Sequence, residues 1–156
     1  MLPFQIVTTT RGRSERQQWN PDLAVLAARM HSQIQQEVFR RLAEAGFADL
    51  GPRHGAILPF LDEDGIRATE LGRLSGRHKQ LVGRLGDELE ELGYVERRPD
   101  SRDRRAKLVV PTERGLAQMR LRDEIVADIE QRHADEVGRR PYAELRDGLR
   151  GIVRSG

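Results

Sequence analysis

Arg77, His78, Lys79, Gln80, Leu81 and Arg84 gather at the start of one helical period, and Arg98, Arg102, Asp103, Arg104 and Arg105 crowd a polar loop further on. The chemistry open to the first group is contact with the edges of base pairs. Arginine pairs bidentately with guanine, glutamine pairs with adenine, and leucine touches the thymine methyl, so Arg77, Gln80, Arg84 and Leu81 are the expected base readers. The second group suits the minor groove of a duplex, where negative potential is concentrated when the groove is narrow. Arg105 is expected to enter it, oriented by Asp103 through a charge-assisted hydrogen bond, with Arg102 and Arg104 sharing the phosphates. An ordinary solvated surface is the competing reading. An exposed Asp103–Arg105 pair is worth under about 1 kcal/mol, too little to account for so many arginines at one tip.

These side chains can act together only if the elements carrying them are placed side by side. Val82, Leu85, Leu89 and Leu92 recur at spacings of three and four, which gives a helix from about Arg77 to Leu92 an inward stripe and leaves its cationic start facing out. A shorter helix around Thr69 to Leu74 precedes it across Ser75 and Gly76, a helix-turn-helix order. Tyr94 to Arg98 and Ala106 to Val110 read as two strands around the loop at Pro99 to Asp103. Helix, helix and basic hairpin make a winged helix.

Longer helices flank this unit. Asn20, Pro21 and Asp22 cap a helical period that runs through Leu23, Leu26, Met30, Ile34, Val38 and Leu42 to Gly46, and a second helix is expected near Pro52, with Ile57, Leu58 and Leu61. Thr112 is a natural N-cap for a long helix whose apolar residues, Leu116 to Ile129, cover more than one face, so one face is expected to meet a partner subunit. Gly138 closes that helix, and Tyr142, Leu145, Leu149 and Ile152 stripe the next. The expected fold class is mainly α with a small β-hairpin, a winged helix-turn-helix with N- and C-terminal dimerisation helices. Residues 1–18 are expected to be a flexible arm and 19–156 a single domain, in which 52–110 form the DNA-binding lobe and 20–46 and 112–153 dimerise.

Composition narrows the alternatives. The net charge of the 156 residues is only +2, yet Arg97 to Lys107 hold six basic residues against two acids. The absence of cysteine removes disulfides, thiolate catalysis and sulfur-ligated zinc. Gly72-Arg73-Leu74-Ser75-Gly76 is not a nucleophile elbow, no phosphate-binding glycine loop occurs, and the four histidines lack ligand spacing. No enzymatic activity, cofactor or metal is therefore expected. No secretory or membrane-spanning pattern is present, and a cytoplasmic location is expected. The alternative to DNA binding is a helical interaction module whose basic hairpin takes an acidic partner.

Three stretches together resemble the MarR family: Arg67 to Leu74; Val82 to Arg98, which contains Glu90-Glu91-Leu92-Gly93-Tyr94-Val95; and Asp103-Arg104-Arg105-Ala106-Lys107 leading to Thr112-Glu113-Arg114-Gly115. An Asp-x-Arg pair followed by Thr-x-x-Gly at the start of a long helix is the most specific of these, and the likeness extends over roughly residues 20 to 153. The resemblance implies a homodimer of interlocked terminal helices, a palindromic double-stranded DNA operator, and a repressor released by a small aromatic or anionic effector. It places the effector near Trp19, Met30, His31, Arg53, His54 and Phe60. The sequence departs from the family pattern at Gly83 and Gly86 within the reading helix, each costing about 1 kcal/mol relative to alanine, and at Pro111, where leucine is expected.

Overall fold

The computed structural model describes residues 12–155. The chain divides into two compact units, one ending at Gln33 and one beginning at Ile34. In the first, helix α1 (Arg13–Trp19) is followed by the start of helix α2 (Leu23–Glu44). Asp22 caps α2, its Oδ1 accepting from the Val25 amide at 3.0 Å, and Gln17 of α1 donates to the same carboxylate at 2.7 Å. The expected arm is thus helical from Arg13 onward. Asp22 supplies the missing reason, since it anchors α1 from the cap of α2. Residues 1–11 of that arm lie outside the described residues.

In the second unit the rest of α2 is followed by two short 3-10 turns, Pro52–Ala56 and Leu58–Phe60, then β1 (Ile66–Arg67), α3 (Ala68–Ser75), α4 (Lys79–Glu91), β2 (Val95–Pro99), β3 (Lys107–Pro111), α5 (Glu113–Val137) and α6 (Arg139–Ser155). The helix expected near Pro52 is therefore a pair of tight turns. Pro59 lacks an amide hydrogen and would clash with the carbonyl four residues earlier in an α-helix. The sheet has three antiparallel strands in the order β1-β3-β2 rather than two, with Ile66 opposite Val109 and Val95 opposite Pro111. Pro111 fits at the end of β3, where its buried ring closes the ladder.

One apolar cluster holds this second unit together. Val38 and Leu42 from α2, Ile57 and Leu58 from the turns, Leu71 from α3, Val82, Leu85 and Leu89 from α4, and Ile125 and Ile129 from α5 are all buried in it. Val82, Leu85 and Leu89 of the inward stripe expected for α4 are buried, while Leu92 is its half-buried C-cap. Thr112 caps α5 as expected, its Oγ1 accepting from the Gly115 amide at 3.1 Å and donating to the Gly93 carbonyl at 2.6 Å. A Cβ on Gly115 would stand 2.0 Å from the Tyr94 carbonyl oxygen, so the Thr-x-x-Gly pattern is a docking device that seats α5 against the entry to the wing.

Candidate nucleic-acid interface

Helix α4 begins at Lys79, two residues later than the sequence suggests, because Gly76 closes α3 in the left-handed region (φ 63°) and His78 is extended. Arg77, His78, Lys79, Gln80 and Arg84 are all exposed, and their side chains make no hydrogen bond or ion pair among the described residues. Leu81 is half-buried and packs against the core, so it presents less surface than a free thymine contact would. Gly83 faces open space, and a Cβ on Gly86 would meet only the Arg97 guanidinium at an ordinary 3.5 Å.

The wing tip is a compact knot of backbone bonds. Asp100 donates its amide to Ala106 at 2.9 Å, Asp103 to Asp100 at 3.2 Å, and Ala106 to Asp103 at 2.9 Å. Arg102, Arg104 and Arg105 project from it, exposed and without a side-chain partner among the described residues. Asp103 does not hold the Arg105 guanidinium as expected; its Oδ1 accepts from the Arg105 amide at 3.1 Å. A short carboxylate two residues before an amide reaches the backbone more readily than a long, mobile side chain. Arg98 pairs with Glu96 on its own strand.

The sequence gives no sign of the ion pairs that set these elements. Arg97, on β2, reaches back to α4, bridging Asp87 and Glu90, the latter at 2.5 Å. Glu88, on the next position of α4, accepts from Arg53 at 2.8 Å and lies 3.2 Å from His54 Nε2. The His54 ring is fully buried, and its Nδ1 accepts from the Gly51 amide at 3.0 Å. That leaves the Nε2 hydrogen to donate to Glu88. Burial pushes the His54 pKa below its ordinary value, and the neighbouring Arg53 charge adds to the effect. Arg67 takes the Asp100 carboxylate, and the Arg102 amide together with Arg67 holds that carboxyl below its usual range.

The residues expected to line an effector site are divided between the two units. Trp19, Met30 and His31 are exposed in the first; in the second, Arg53 and Phe60 are exposed while His54 is enclosed with both ring nitrogens engaged. His54 therefore serves the turn and α4 rather than an open wall. Among the described residues no group of histidine and carboxylate side chains could hold a metal ion, and no helix is long and apolar enough to cross a membrane.

A model of the MarR family matches residues 48–106. Among solved structures, a MarR-family transcriptional regulator from Rhodococcus sp. RHA1 is similar with a TM-score of 0.67 at 23% identity, over 92% of this chain and 97% of that one. CouR from Rhodococcus jostii RHA1 bound to p-coumaroyl-CoA gives a TM-score of 0.62 at 28% identity over 84% and 91% of the two chains. The transcriptional repressor CouR bound to a 23-mer DNA duplex gives 0.70 at 22% identity over 93% and 99%. No curated protein matches the chain. The family match falls on the helix-turn-helix and wing, and the solved structures share the winged-helix fold of the chain that carries them.

Proposed function

We propose that this chain is a transcriptional regulator that binds double-stranded DNA sequence-specifically as a homodimer. The observation that carries the reading is the row of exposed, unpartnered donors at the start of α4, joined through β2 to a tip bearing three free arginines. Arg77, Gln80 and Arg84 read base edges in the major groove, with His78 and Lys79 beside them, while Arg102, Arg104 and Arg105 engage the minor groove and its phosphates. In this reading residues 52–110 form the DNA-binding lobe and the chain has no enzymatic role.

Dimerisation is supported by α6, which has no buried residue and leaves Leu145, Ile152 (64% exposed) and Val153 (78% exposed) uncovered. Two copies would present their α4 helices about 34 Å apart on one face of a palindromic operator. Repression relieved by an effector follows the same likeness. The relative CouR is seen with p-coumaroyl-CoA, and a ligand of that aromatic, anionic kind is the effector class we assign.

The test is footprinting of the full chain on the DNA upstream of its own gene, with unrelated duplex as competitor and with aromatic acids and their CoA thioesters added. A protected palindrome with a large specificity ratio is expected. Equal affinity for both duplexes would replace this reading with the acidic-partner module.

A further inference from the structure

The backbone bonds of the wing tip fix its internal shape. Arg97 ties the β2 strand to α4 through Asp87 and Glu90, and the Asp100 carboxylate ties the tip itself to the residue before α3. The Asp100 side chain, 8% exposed, accepts from Arg67 Nε at 2.7 Å and Nη2 at 2.5 Å, and from the Arg102 amide at 2.9 Å. Arg67 stands opposite Leu108 in the β1–β3 ladder and is the residue directly before α3. Both guanidinium nitrogens meet one oxygen, Oδ2, while Oδ1 takes the Arg102 amide, so the carboxylate joins the residue before α3 to the wing tip through its two oxygens.

We propose that Asp100 and Arg67 are positioning residues for DNA reading, their ion pair holding the wing so that Arg102, Arg104 and Arg105 meet the duplex in one fixed register. This rests on the DNA-reading role given above; neither residue needs to touch DNA itself. The sign of the effect separates positioning from simple electrostatics. A carboxylate beside a polyanion repels it, so an acid with no further role would hinder binding, and Asp100→Asn, nearly isosteric and one charge more positive, would bind more tightly. Positioning predicts the reverse.

The experiment uses the full chain, a duplex carrying the footprinted site, and an unrelated duplex, with anisotropy titrations over roughly 50 to 200 mM salt. Asp100→Asn is expected to lose about tenfold in affinity for the site, with binding to unrelated duplex unchanged or tighter. Arg67→Gln should lose a similar factor, and the double variant should be no weaker than either single one, because each removes the same clamp. Amide exchange supplies the structural readout: the Arg102 amide should exchange faster in Asp100→Asn while the Leu89 amide keeps its protection. Tighter site binding by Asp100→Asn, additive losses in the double variant, or unchanged exchange at Arg102 would overturn the proposal. If the parent shows no preference for the site, the DNA-reading role itself fails; if the parent shows one that Asp100→Asn keeps in full, only the clamp fails.

Discussion

Replacing Gly115 with alanine probes the seat of α5. The added Cβ would lie 2.0 Å from the Tyr94 carbonyl oxygen, 3.1 Å from its carbon and 3.2 Å from Pro111 Cβ, where ordinary contact begins at 3.4 Å. The start of α5 must therefore retreat by about 1.4 Å, the difference between 3.4 and 2.0. That movement strains the Thr112 cap and the bond from the Thr112 amide to the same Tyr94 carbonyl, 3.0 Å long. Losing the cap costs about 1 kcal/mol, losing the amide bond about 1, and overpacking about 2, while alanine returns about 1 in helix propensity. The expected loss is about 3 kcal/mol, or roughly 6–12 °C in Tm. Urea unfolding followed by circular dichroism, at one fixed protein concentration so that any association is held constant, measures it. A change below about 0.5 kcal/mol would show that α5 does not rest on the Tyr94 carbonyl and that the Thr-x-x-Gly pattern needs another explanation.

Arg105→Ala should leave thermal unfolding unchanged, since its side chain has no partner among the described residues, yet reduce the slope of log affinity against log salt by about 1.8, one contact in each copy of the dimer. An unaltered slope would remove that arginine from the interface. Because the folded state binds a proton on His54 less readily than the unfolded chain, its contribution is complete above the ordinary pKa of 6.5 and declines as pH falls below it toward the lowered folded value. Unfolding free energies from about pH 7.5 to about pH 5 should fall more steeply for the parent than for His54→Gln, and parallel curves would contradict the assignment. Gln118 is fully buried, with both side-chain polar atoms lacking a partner among the described residues, so Gln118→Met should raise stability by about 1 to 2 kcal/mol. A measured decrease would mean that the amide is hydrogen-bonded in solution.

The parts legible in the sequence were those governed by local period and local caps. The stripe Val82, Leu85 and Leu89 and the Thr112 cap depend on neighbours within one or two turns, and both stand where expected. Strand β1 escaped because two residues show no alternation, and it exists only by pairing with β3 some forty positions later. The segment from Pro52 to Phe60 has an apolar period that suits a helix, but Pro59 tightens it into 3-10 turns. The Asp103–Arg105 spacing suits a guanidinium partner as well as the nearer amide, and the amide, with the shorter reach, is the one bound. The partners of Arg97, Arg67 and Asp100 are not legible in the sequence, because ion pairs between distant positions leave no spacing to detect.

Those same pairs alter how the molecule looks to a polyanion from afar. Asp87 and Glu90 are answered by Arg97, Glu88 by Arg53 and Asp100 by Arg67, all within contact distance. Beyond a screening length of about 8 Å the Arg53–Glu88 and Arg67–Asp100 couples approach neutrality and Arg97 offsets one of the two charges of Asp87 and Glu90, whereas the unmatched guanidinium and ammonium groups still act outward. The face therefore attracts nucleic acid more strongly than a formal charge of +2 implies. Its capture rate should be governed by ionic strength before any base is recognised.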